Sequence, residues 1–277
     1  MNNDQLSMLL AYMVQSQSGG GFVQDFLFPF LLSAMSAMMG AYAAYHLLKR
    51  SEWIAEERKR LELLNKMSIL AVDAFYQMLA IKSNYLGLLD SNPRKRIVTV
   101  PTIPLECKNF EVPHEFYLLL ASVYITVKDY RWSQPGIYMV LVKNYKATLN
   151  CWNTRNEINQ ECKNSLMNGK AVVELEEEHI DEIFSEDKLC QWVDFTERSL
   201  VLTDDMLIEI NSLVNDLSEI TKKVISPKII RKYGAMNCNI GDFNKKLLIR
   251  VPEVDISSLD FFHRDDIWLK DRFSSNI

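Results

Sequence analysis

The residues able to do chemistry are few and scattered. The four histidines, His46, His114, His179 and His263, share no H-x-x-x-H spacing. His114-Glu115 begins as a zinc-protease helix would, but position 118 is Leu, so the second imidazole is missing. Glu176-x-x-His179 has the spacing of one half of a four-helix carboxylate metal site, without a second such pair. The acidic run from Glu174 to Asp187 therefore reads as a solvated helix face. Arg155-Asn156 is followed by Gln160, Glu161 and Cys162, where a histidine would complete an Arg–His nuclease pair. Gly19-Gly20-Gly21 lacks the Lys-Ser/Thr of a phosphate loop. The reading is a non-enzymatic protein with no catalytic residue, no metal ligand and no cofactor.

Composition narrows the class. In 277 residues, 48% are hydrophobic and 24% charged, ordinary for a folded chain. The formal net charge of −5 argues against a nucleic-acid partner. The five cysteines (Cys107, Cys151, Cys162, Cys190, Cys238) are odd in number and form no C-x-x-C pair, which points to reduced thiols in a cytosolic domain.

The elements that would position anything begin with one long apolar stretch. Phe26 to Tyr45 holds twenty residues without a formal charge. At 1.5 Å per residue they cover roughly 30 Å, the thickness of a bilayer core. Residues 1–48 contain no Lys or Arg, and Lys49, Arg50, Arg58, Lys59 and Arg60 follow directly. That asymmetry predicts a single-pass helix with its N-terminus outside and the bulk of the chain in the cytoplasm, in a layout suited to a bacterial inner membrane. A short amphipathic helix around Leu6, Leu9, Leu10 and Met13 is expected before it.

The stretch carries a packing code. Ser33, Ala37 and Ala41 recur every fourth residue, as do Ser36, Gly40 and Ala44. Small residues at that spacing let helices approach closely in lipid, so self-association is expected.

The remainder reads as an all-α bundle. A stripe with 3-4 spacing runs Ile54, Glu57, Leu61, Leu64, Ser68, Ala71, Phe75, Met78, Lys82, Tyr85, Leu89, continuous with the apolar stretch. Residues 90–104, with three prolines and the basic knot Arg94-Lys95-Arg96, read as a solvated linker. Helices are expected from Pro113 to about Tyr130, from Pro135 to about Asn168 with Gly169 as cap, from near Val172, and from Thr203 to about Ile225. Arg155 beside Trp152 reads as a surface arginine; buried, it would call for a carboxylate. Lys246 to Val251 reads as a strand or extended strap. Ser257-Ser258 then heads a helix whose aromatic face (Phe261, Phe262, Trp268) either packs back on the bundle or docks a partner.

The expected organisation is an extracytoplasmic segment 1–21, a transmembrane helix 22–48, a cytoplasmic helical bundle 49–233 and a C-terminal strap 234–277. The expected partners are membrane lipid, a second copy of the chain and a cytoplasmic protein. The leading reading is a membrane-anchored scaffold or signalling adaptor. The alternative is a membrane-perturbing effector, of stress or phage defence, that assembles into a lesion.

Overall fold

The computed structural model describes residues 7, 8, 11, 26–105, 110–167, 184–236, 246–252 and 254. Among them the structure is all-helical and contains no strand. The helices are α1 (Phe28–Ser83), α2 (Pro93–Thr99), α3 (His114–Val127), α4 (Pro135–Met167), α5 (Glu186–Val224) and α6 (Pro227–Tyr233). One-turn 3₁₀ segments occupy Arg131–Ser133 and Lys246–Leu248. The chain divides into two units, Met1–Arg58 and Lys59–Ile277, and the boundary falls inside α1.

In the second unit, α1 supplies the stripe expected of it. Leu61, Leu64, Ser68, Ala71, Phe75, Met78 and Lys82 are all buried, polar members included, as is Tyr85 in the turn that follows. That periodicity is what a helix shows when one face packs and the other meets water. Tyr85 stacks on Trp152 of α4 with ring centroids 5.6 Å apart, and Tyr145 of α4 donates a hydrogen bond to Gln77. The α4 and α5 helices lie antiparallel: Glu161 meets Lys188, Arg155 meets Thr196, and Cys151 meets Ser199. One hydrophobic cluster joins α2, α4 and α5 through Ile97, Ile158, Cys162, Leu189, Trp192 and Val193.

The chain ends of these helices follow from local chemistry. Asn92 caps α2: its side-chain oxygen accepts from the amides of Arg94 and Lys95, and Pro93 fills the first helical position. Glu186 and Asp187 open α5 and Lys222 and Lys223 close it, each sign matching the helix dipole. Gly234 ends α6 with φ +81°, a conformation that L side chains rarely adopt. Asn65 of α1 then pins the exit, donating to the Gly234 carbonyl and accepting from the Met236 amide.

Four expectations need correction. Thr203 does not start a helix; it lies mid-way along α5, where its hydroxyl donates back to the Ser199 carbonyl one turn earlier. Back-bonding of this kind lets Thr occupy a helix interior, so Thr-Asp-Asp imitates a cap without being one. The proposed linker 90–104 contains α2. Its basic knot is not a solvated loop, because Arg96 is buried. Arg155 is not on the surface either, and its partners are carbonyl groups rather than a carboxylate. The Lys246–Val251 stretch forms a 3₁₀ turn followed by residues without regular structure. The expected acidic helix from Val172, the Gly169 cap, Glu176 and His179, most of the N-terminal helix, and the aromatic helix after Ser258 lie outside the described residues.

Candidate functional site

In the first unit the candidate surface is the apolar half of α1. Phe28, Phe30, Leu31, Leu32, Met35 and Met38 are exposed large hydrophobics, and more follow as far as Trp53. By length and composition α1 can cross a membrane, and none of its most apolar window is buried inside the protein. The small residues Ser33, Ser36, Ala37, Gly40, Ala41 and Ala44 are likewise exposed along it. A Cβ added at Gly40 would meet nothing within 4 Å. Lys49, Arg50, Arg58 and Lys59 are exposed on the following turns and Arg60 is half-buried. Phe261, Phe262 and Trp268, the candidate docking residues, lie outside the described residues.

The second unit holds three buried polar nodes. Lys82 and Asp204 are 0% and 3% exposed and pair at 2.6 Å. The remaining valences of that pair go to the backbone of residues 246–252. Lys82 donates to the Ile249 carbonyl, and the Val251 amide donates to Asp204 Oδ2. Two buried charges are tolerable only when paired and hydrogen-bonded, and here that segment completes the set. Tyr85 stands alongside: burial, and then the negative charge of Asp204, push its phenol well above the usual tyrosine range.

The second node is Arg96 of α2. Its guanidinium pairs with Glu197 of α5 at 2.9 Å and also donates to the carbonyls of Asp90 and Pro252. Burial raises Glu197 to about 7 even though Arg96 pulls the other way. The third node is Arg155 of α4. It donates to the carbonyls of Ile97, Val100 and Pro101 and to the Thr196 hydroxyl. Carbonyls left unpaired at a helix end carry partial negative charge, so Arg155 acts as the C-terminal cap of α2. Burial lowers its pKa to about 10, which leaves it charged at neutral pH.

A groove of about 920 Å³ runs between α4 and α5. Ile137, Val140 and Ala147 line it from α4, and Phe195, Leu202 and Met206 from α5. Its rim carries Arg131 paired with Glu209, and Arg250 paired with Asp205 at 2.6 Å. Among the described residues no group of three or more His, Cys, Asp or Glu side chains is placed to hold a metal ion. Cys151, Cys162 and Cys190 are free thiols, and burial pushes each of them up. The arrangement can hold elements together and present surfaces.

Comparison of the chain with family models, with curated proteins and with solved structures finds no match in any of the three.

Of the residues singled out in the sequence, the small-residue face and the basic flank lie along one helix. The nodes at Asp204, Arg96 and Glu197 were not singled out for any role. The signal for one of them was available: Lys82 occupies a core position of a mainly apolar stripe, and a lysine there requires a buried acceptor.

Proposed function

We propose that this chain is a single-pass, membrane-anchored helical scaffold. In this reading α1 crosses a bacterial inner membrane with its N-terminus outside. Residues 49–233 form the cytoplasmic bundle, residues 234–277 form a strap on it, and the faces Ser33-Ala37-Ala41 and Ser36-Gly40-Ala44 bring copies together. The bundle then presents several copies of its surface to a cytoplasmic protein partner. One observation carries the reading: among the described residues, none of the most apolar window of α1 is buried, and basic residues mark one end of it. An apolar helix exposed on all sides is unstable in water and needs lipid or protein around it.

The test is fractionation with alkaline carbonate extraction, followed by cross-linking of the membrane-bound chain and of Gly40→Leu. The scaffold reading requires a carbonate-resistant chain, cross-linked oligomers, and their loss in Gly40→Leu. Recovery in the soluble fraction refutes it. The same cells loaded with a membrane-potential dye separate scaffold from lesion: a scaffold leaves the potential intact, whereas a membrane-perturbing effector collapses it.

A further inference from the structure

We infer that residues 246–252 sit in a slot that reads peptide main chain, and that an extended basic segment of a partner protein can take their place there. The slot is made by Lys82 of α1, Arg96 of α2 and Asp204 and Asp205 of α5. Three of these four side chains bind backbone groups of the strap. Lys82 Nζ donates to the Ile249 carbonyl at 2.6 Å, the Val251 amide donates to Asp204 Oδ2 at 2.6 Å, and Arg96 donates to the Pro252 carbonyl at 3.2 Å. Acceptor, donor and acceptor thus alternate over four consecutive residues. Every chain carries carbonyls, and every residue but proline an N–H, so these bonds do not depend on which side chains the strap has.

The strap's own side chains add little. Among those described only Leu247 is buried, and Ile249 is 69% exposed. Arg250 reaches Asp205 at 2.6 Å on the rim. The slot therefore specifies an apolar residue, a basic residue three positions later, and an N–H on the residue after that. Main-chain bonds supply affinity and two side-chain positions supply selection, as in other sites that bind extended peptides. The Lys82–Asp204 pair also needs an occupant. Its two charges are buried, and peptide groups complete their hydrogen bonds, whichever chain offers them. Exchange of one chain for another keeps that set complete, where simple opening would not. The strap is tethered and competes at an effective concentration in the millimolar range, so a rival segment gains most when the strap's own hold is weakened.

In the scaffold reading this segment belongs to the cytoplasmic partner. Peptide exchange on the bundle is measured whether or not α1 lies in a membrane, so either reading can fail alone. The probe is a fluorescein-labelled peptide of residues 245–254, added to the full chain in detergent micelles and followed by anisotropy. Val251→Pro in the full chain removes the strap's N–H and leaves Lys82, Asp204 and Arg96 in place. It should keep the parent's helical circular dichroism and bind the peptide about tenfold more tightly, the worth of one hydrogen bond to a charged group. On that variant, a peptide N-methylated at Val251, or one carrying Arg250→Glu, should bind several-fold more weakly than the parent peptide. Absence of saturable binding, equal affinity for parent and Val251→Pro chains, or an N-methylated peptide that binds as well as the unmodified one would each overturn the assignment. Isotopically light and heavy full chains with p-benzoylphenylalanine at Ile249 should cross-link the strap within one copy; strap cross-links between copies would give the slot to a second copy instead and overturn the partner assignment.

Discussion

Replacing Asp204 by Ala should be among the most damaging single changes in the bundle. The substitution leaves the Lys82 ammonium buried with only the Ile249 carbonyl, and it leaves the Val251 amide without an acceptor. Breaking a buried pair from one side costs about 3–5 kcal/mol, and an orphaned buried amide adds about 1–3 kcal/mol. For a unit of this size each kcal/mol lowers Tm by about 2–4 °C, so the expected drop is on the order of 10 °C or more. Thermal unfolding of the full chain in detergent micelles, followed by tryptophan fluorescence, reads it directly, because Trp152 lies against Tyr85 in the same core. The double variant Lys82→Met and Asp204→Leu removes both charges and should recover most of the loss, leaving the Val251 amide as the main remaining cost. A drop of less than about 3 °C in Asp204→Ala, or a double variant as unstable as the sum of the two singles, would refute the account of a mutually dependent buried pair.

Three further outcomes are expected. Glu197 holds its proton more tightly in the folded state, at about 7, than a free glutamate does. Its contribution to stability is therefore complete below about pH 4.5 and is lost as pH rises through about 7; Glu197→Gln should match the parent near pH 5 and gain on it by pH 8, and parallel Tm curves would contradict this. Arg155→Lys cannot reach three carbonyls with one ammonium, so it should cost about 2–3 kcal/mol and expose residues 97–105 to protease, which unchanged digestion would disprove. Met38→Arg places a charge in the apolar window of α1, at about 2.5–3.5 kcal/mol for a mid-membrane arginine, and should raise the carbonate-extractable fraction; unchanged extraction would argue against lipid around Met38.

The helices with strong periodicity were the legible part of this fold. The stripe on α1 could be read from Leu61 to Tyr85 because its spacing survives two polar members, and α3 and α4 announced themselves by prolines at their starts. The short helix α2 was hidden because its Pro93 reads as linker composition together with Pro101 and Pro104, although Asn92-Pro93 is a cap followed by a first-turn proline. What the sequence could not supply was pairing at a distance. Lys82 and Asp204 are 122 positions apart, and nothing local to either names the other. Arg155 was misread for a different reason: its partners are backbone carbonyls, which carry no side-chain signature at all. The apolar stretch of α1 was plain from composition, because a run without charge needs no partner to be visible.

The two arginines that grip α2 let go under different conditions. Arg96 leans on a carboxyl whose pKa stands at about 7 in the folded state, so separating α2 from α5 releases a proton and is favoured as pH rises through neutrality. Arg155 leans on peptide dipoles, which do not titrate, so its hold persists over the same range. Rising pH thus weakens the Arg96 side of α2 while the Arg155 side stays clamped.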